Sequence, residues 1–446
     1  MQFYSTNDAS HRVSVAEAIF RGLPVDRGLY MPERIEPLPD TFFRNLSELS
    51  FAGIGFRVAR QLLGSEISDE DLRTLVREAI NFPAPVVRLD EQKYVLELFH
   101  GPSLAFKDFG ARFMARLMAY YNTDQERELV ILVATSGDTG GAVAAGFHNT
   151  PGIQVVILYP TGRVSALQEK QLTTLGGNIH ALEINGSFDD CQALVKQAFL
   201  DEALRGQLRL SSANSINIAR LIPQTFYYFE AFKHLGPGGP IAFCVPSGNF
   251  GNLTAGLIAH RLGLPVQQFI AATNRNDVVP RFLSTGRYEQ QPTVATLSNA
   301  MDVGAPSNFA RMANLFGHLS GLDPLKSATH QAFTKLVKGY AYDDRTTEAA
   351  LREIKQRYEY TMDPHGAVGY LALNEWQRKN PATRGVILET AHPSKFKPDV
   401  ERILGEEIEV PQRLAQLVER TKVAYQFGTD YLPIRTWLLQ TFTNRD

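Results

Sequence analysis

Residues 100–110 read HGPSLAFKDFG and set a lysine, Lys107, where a charged amine is poorly accommodated. From Phe106 to Tyr121 apolar residues recur at Phe106, Phe109, Phe113 and Leu117, and again at Met114 and Met118, the spacing of one face of a helix. Lys107 falls in the first turn of that helix. Ala111, Met114 and Met118 share its stripe, so the lysine stem runs along an apolar margin. Desolvation disfavours the ammonium, and the positive end of the helix dipole acts in the same direction. An amine depressed by both effects is a competent nucleophile for a carbonyl, with which it forms a Schiff base. A lone lysine of this kind is ordinarily a snorkelling residue on a core helix. Three turns elsewhere in the chain change that reading.

The first turn carries Thr135, Ser136, Gly137, Asp138 and Thr139 between an apolar run and a helix of small residues. Hydroxyls beside the free N–H groups of a helix start make an anion cradle. The second runs Ser247, Gly248, Asn249, Phe250, Gly251, Asn252, and its glycines let the backbone curl around a phosphate ahead of another helix. The third ends an apolar strand at Thr390, with His392 just beyond. No turn has the G-x-G-x-x-G spacing of a dinucleotide site, and no lysine follows the glycines as it does in nucleotide triphosphate loops. A ligand bearing both a carbonyl and a phosphate would use the whole set. Pyridoxal phosphate has both: an aldehyde for Lys107 and a phosphate for Gly248 to Asn252.

The motif GPSLAFKDF, followed in order by the Thr135–Gly140 turn and the Ser247–Asn252 loop, resembles the threonine synthase family in its longer bacterial and fungal form. Tyr4, Ser5 and Thr6, and the run Gly28 to Pro32, resemble the same family's N-terminal lobe, so the resemblance covers essentially the whole chain. It implies a fold type II pyridoxal-phosphate enzyme of the wider tryptophan synthase β-like group. That fold has two doubly wound parallel α/β lobes with a mainly helical N-terminal lobe. It also implies conversion of O-phosphohomoserine and water to threonine and phosphate, the last step of threonine biosynthesis.

By the same resemblance Lys107 forms the Schiff base and then moves protons, and Gly248, Asn249, Phe250, Gly251 and Asn252 bind the cofactor phosphate. Thr390 faces the pyridine nitrogen, where a hydroxyl, unlike an aspartate, does not enforce protonation. Thr135, Ser136, Gly137 and Thr139 would hold the substrate carboxylate near the cofactor's phenolic oxygen. The wider fold family usually has asparagine where this chain has Asp138, and an ionised carboxylate there cannot donate a hydrogen bond. The leaving phosphate needs cations and donors. Asn217 and Arg220, with Ser103, are the first candidates, and Arg163 is the second. His392 reads as a satisfied loop histidine.

These residues must be positioned by alternating strands and helices, the pattern of parallel βαβ units, from residue 93 onward. Strands are expected over Leu129–Thr135, Gln154–Tyr159, Asn178–Ile184, Ile241–Pro246, Gln268–Thr273 and Arg384–Thr390. A single helix is expected over Ile218–Phe232. The division expected is a helical lobe over 1–92, a smaller α/β lobe over 93–215 and a larger one over 216–446. The segment Asn276–Asn308, rich in Ser, Thr, Asn and Pro, reads as a mobile loop or insertion.

With 446 residues, 44% hydrophobic content and a formal net charge of -2, the chain gives no electrostatic case for a nucleic-acid or membrane partner. Cys191 and Cys244 lie in apolar surroundings, and Asp189, Asp190, Asp343 and Asp344 read as helix-start or turn residues, so no metal site is expected. The N-terminus reads as neither signal nor transit peptide, which makes a cytoplasmic monomer or homodimer the expectation. Two competing activities share parts of this pattern. A phospholyase releasing a keto acid and ammonia keeps the lysine motif, whereas a nicotinamide-dependent dehydrogenase would need the missing fingerprint.

Overall fold

The computed structural model describes residues 1–122, 127–317 and 327–443. Its strands, in chain order, are β1 (Phe3–Ser5), β2 (Arg12–Val13), β3 (Tyr30–Pro32), β4 (Val86–Arg88), β5 (Lys93–Glu97), β6 (Leu129–Ala134) and β7 (Ile153–Pro160). They continue as β8 (Ile179–Ile184), β9 (Arg209–Ser212), β10 (Ile241–Pro246), β11 (Gln268–Thr273), β12 (Val337–Ala341), β13 (Arg384–Glu389) and β14 (Tyr425–Phe427). β6, β7, β10 and β11 are mostly apolar and buried at every position, as parallel strands covered on both faces must be.

Two sheets result. The larger has the order β12-β11-β10-β13-β5-β4, parallel except for β4 against β5. The smaller has the order β14-β8-β7-β6-β9 and is parallel throughout. The outer face of the larger sheet packs on Leu351, Ile354, Val368 and Leu373, and that of the smaller on Leu194, Ala198, Ile434 and Leu438. Between the sheets runs one continuous core that also takes in the N-terminal helices, the Lys107–Tyr121 helix and the aromatic run Phe226–Phe229.

The expected linear division into lobes is corrected at two points. β5, placed by sequence in the smaller lobe, pairs with β13 in the larger sheet. β14, near the C-terminus, extends the smaller one. A strand joins the sheet whose edge lies open beside it, and sequence order does not reveal that edge. The N-terminal lobe is helical at Val15–Arg21, Phe51–Leu63 and Asp69–Ala79, each capped by a serine, and it also carries the antiparallel sheet β2-β1-β3.

The helix expected over Ile218–Phe232 is broken. A short helix (Ile218–Leu221) passes into a 3-10 turn with Pro223 in its first turn before Phe226–Leu235 resumes. The expected mobile loop Asn276–Asn308 is an ordered segment. It begins with the helix Val278–Thr285 and is then pinned by side chains: Asn274 Nδ2 donates to Thr296 Oγ1 (2.7 Å) and Asp302 Oδ1 (2.8 Å). No helix among the described residues is long and apolar enough to cross a membrane.

Candidate active site

Lys107 is the first residue of its helix, and the loop before it is held both by that helix and by the end of β13. Asp108 Oδ2 accepts from Ser103 N at 2.8 Å, and Leu104 adopts φ 56, rare for a branched residue. The loop is also zipped to the end of β13. Ala105 bridges Ala391, Phe106 N donates to Thr390 O (2.8 Å) and His392 N to Leu104 O (3.0 Å). That zipper brings Lys107 and Thr390 to one cavity of about 350 Å³, lined as well by Thr135, Ser136, Thr139, Arg220 and Ser247 to Asn252.

The Lys107 side chain opens onto this cavity while protein surrounds its amine, which makes no hydrogen bond or ion pair with any described residue. Burial lowers its pKa to about 8; Asp138 opposes the shift, and Lys395 and Arg220 add to it.

The Ser247–Asn252 loop has the geometry of an anion cradle. No backbone N–H from Gly248 to Asn252 donates to another described residue. The Asn252 side chain braces the loop from within: Nδ2 donates to Pro246 O (2.8 Å), and Oδ1 accepts from Leu253 N and Ser247 Oγ. The loop's two glycines act differently from each other. The left-handed residue is Phe250 (φ 59), not Gly251, where an added Cβ would come no closer than 3.6 Å to Asn308 Nδ2. Gly248 is required by approach, because a Cβ there would lie 2.7 Å from Ala300 O.

In the turn after β6, Thr135 Oγ1 accepts from Gly137 N (3.0 Å) and Gly140 N (2.8 Å), so this hydroxyl shapes the turn. The N–H groups of Ser136, Asp138 and Thr139 stay free of protein partners among the described residues. Gly137 needs its glycine, with φ 134 and Gln168 packed where a Cβ would stand.

Asp138 lies beneath, buried, with Oδ1 bonded to Gln168 Nε2 (2.9 Å) and paired with Lys395 Nζ (2.7 Å). Burial alone would raise its pKa, but the Lys395 and Lys107 cations outweigh that and hold it well below the usual carboxylate range.

Arg220 is buried on the cavity with its pKa lowered to about 10 by desolvation. Nη1 donates to Ala213 O, and no carboxylate among the described residues pairs with the guanidinium. Asp108 acts on it from beyond ion-pair distance, so the cation facing the cavity is only partly compensated.

The other phosphate candidates lie elsewhere. Asn217 caps the Ile218–Leu221 helix by accepting from Ala219 N, and its Nδ2 donates to Ile19 O and Ser212 O. Ser103 lies behind the lysine loop, its carbonyl accepting from Gln171 Nε2 and Lys395 Nζ. Arg163 is exposed on a turn and does not line the cavity. His392 caps the Pro393–Phe396 turn.

Sequence reasoning missed two groups. The segment 299–305 forms one wall of the cavity, and His365 Nε2 accepts from Ala300 N (3.2 Å) while Nδ1 meets Asp363 Oδ2 (2.5 Å). Lys395 also went unread, since nothing in its local sequence marks it as buried.

Pyridoxal phosphate fits this site on observations of the chain itself: an unbonded buried amine and a loop of unpaired N–H groups share one cavity. The comparisons agree. A profile for pyridoxal-phosphate dependent enzymes matches residues 79–389, one for the threonine synthase N terminus residues 2–80, and one for the threonine synthase C-terminal region residues 366–431. Threonine synthase of Escherichia coli K12 is 46% identical over 442 residues, covering 98% of this chain and 99% of that protein. The crystal structure of the Escherichia coli enzyme superposes with a TM-score of 0.90 at 45% identity, covering 99% of this chain and 100% of the other. The pyridoxal-phosphate-bound threonine synthase of Brucella melitensis gives a TM-score of 0.92 at 35% identity, covering 99% of each chain. Matched along its whole length and carrying a cavity suited to the family's cofactor, this chain belongs to the threonine synthase family of pyridoxal-phosphate-dependent enzymes.

Proposed function

We propose that this chain converts O-phospho-L-homoserine and water into L-threonine and inorganic phosphate. Pyridoxal phosphate, when bound, supplies an electron sink conjugated to the substrate nitrogen, which makes protons on the neighbouring carbons removable. Lys107 holds the cofactor through its amine and afterwards serves as the mobile base. It takes the substrate's α proton, gives it up to the conjugated system, and as a neutral amine again takes a β proton, so that phosphate can depart from the γ carbon. The γ carbon takes one proton and becomes the product methyl, water adds its hydroxyl at the β carbon, a second proton returns to the α carbon, and the third, equivalent to the one water brought, leaves on the phosphate. We assign both deliveries to Lys107. An amine lowered to about 8 supports the role, since a base works best with a pKa near the operating pH.

The unpaired N–H groups of Gly248 to Asn252 bind the cofactor phosphate, and those of the Ser136–Thr139 turn hold the substrate carboxylate. Thr390, which lines the same cavity, would offer its hydroxyl to the ring nitrogen. Arg220 binds the phosphate that leaves. Its burial without a carboxylate partner supports that assignment, because a dianion is then the group that compensates it.

One observation carries this reading. The Lys107 amine and the buried Arg220 guanidinium face the same cavity as a loop of free N–H groups, so a carbonyl and two phosphates each have a counterpart. Lys107→Ala tests it. The variant should keep its fold, lose the absorbance of bound cofactor at ~410–430 nm and release no phosphate from O-phosphohomoserine. Turnover near the wild-type rate would refute the assignment.

A further inference from the structure

Lys395 is 1% exposed, an unusual position for an ammonium, and it is held by two partners. Its Nζ lies 2.7 Å from Asp138 Oδ1 and 2.9 Å from Ser103 O. Ser103 belongs to the loop that leads into Lys107, and Asp138 opens the helix beside the substrate turn. Three segments distant in sequence therefore meet at one buried ammonium. Asp138 Oδ2 has no hydrogen-bond partner among the described residues, so the carboxylate's remaining charge is directed at its surroundings.

We propose that Lys395 is a positioning residue for Lys107, cancelling the charge of the Asp138 carboxylate next to the cofactor-binding nitrogen. This rests on the reading that Lys107 binds the cofactor. A buried carboxylate left alone beside that nitrogen stabilises its protonated form and withholds the neutral amine that chemistry needs. A buried lysine paired with the carboxylate restores local neutrality without removing the acceptor that Gln168 bonds. The charged groups acting on Lys107 are Asp138 from the helix 138–147, Lys395 from the turn after β13, and Arg220 from the Ile218–Leu221 helix. Removing one member of the pair unbalances the set, while removing both does not.

The test is a pH titration of the bound-cofactor absorbance in the holoenzyme, comparing wild type, Lys395→Met, Asp138→Asn and the double variant. Lys395→Met should raise the midpoint by about one pH unit or more, a tenfold gain in proton affinity. Asp138→Asn should lower it, because Lys395 and Arg220 are then unopposed. The double variant should return to within about half a unit of wild type. If Lys395→Met does not fold, Asp138→Asn and the double variant carry the test. Midpoints unchanged by the single substitutions, with only looser cofactor retention, would reduce Lys395 to a mechanical tie and overturn the proposal. Wild-type protein lacking the absorbance altogether would overturn the cofactor reading, and this proposal with it.

Discussion

At the scale of single residues, proton bookkeeping at Lys107 gives the sharpest expectation. Its amine is neutral above a pKa of about 8, so the rate of cofactor capture by cofactor-free protein should rise with pH up to about 8 and level off beyond it. A rate still climbing at pH 10 would indicate an ordinary solvent-exposed lysine.

Two neighbouring glycines should behave differently. Gly248→Ala drives a Cβ to 2.7 Å from Ala300 O and should cost ~1–3 kcal/mol of cofactor affinity, roughly ten- to hundredfold by titration. Gly251→Ala meets only ordinary contacts and should leave affinity within about twofold. Equal losses at both positions would mean that the phosphate presses on Gly251 itself.

Arg220→Ala should leave cofactor binding intact while costing about 2–5 kcal/mol in kcat/KM for O-phosphohomoserine, the loss of a charge-assisted contact to a buried dianion. Cofactor loss with substrate affinity preserved would reassign this arginine to the other phosphate.

At the scale of elements, what could be read from sequence was local. The helix carrying Lys107 and the central parallel strands announced themselves through periodicity and unbroken apolar runs, two of the turns through glycines at strand ends and the third through Thr390 and His392. Asn276–Asn308 did not, because irregular backbone ordered by side chains has no period. Its anchors are Asn274, Asn276 and Asp302, the last with its carboxyl pushed up to about 6 by burial.

Lys395 was equally unreadable, since one of its partners lies 292 residues away along the chain. The same logic made Asn217 look like a ligand at a helix start, when its side chain is occupied in capping that helix. Asn274→Ala should release the 294–303 segment. Faster hydrogen exchange there and about tenfold weaker substrate binding are expected, with little change in global unfolding. Exchange confined to other segments would show that the cavity wall is anchored differently.

At the scale of the molecule, the shared core between the sheets makes the N-terminal lobe part of the enzyme's frame. Arg311 shows how. Fully buried, with a pKa lowered to about 9 by burial, it donates to Tyr30 O (3.1 Å), Ile216 O (2.6 Å) and Asn308 Oδ1 (2.8 Å). One side chain thus ties the N-terminal sheet to the segment before Arg220 and to Asn308, whose N–H donates to Asn249 O in the Ser247–Asn252 loop. Arg311→Met strands two backbone carbonyls and should cost about 2–4 kcal/mol, read as a lower urea midpoint with proteolysis beginning in residues 1–80. An unchanged midpoint would mean that the lobes hold together without it.

The central claim concerns what leaves the cavity, and product analysis of the cofactor-loaded wild-type protein acting on O-phospho-L-homoserine tests it most directly. Threonine and phosphate should accumulate in equal amounts. Phosphate accompanied by ammonia and a 2-oxo acid, with no threonine, would show that water never adds at the β carbon and would contradict the assignment.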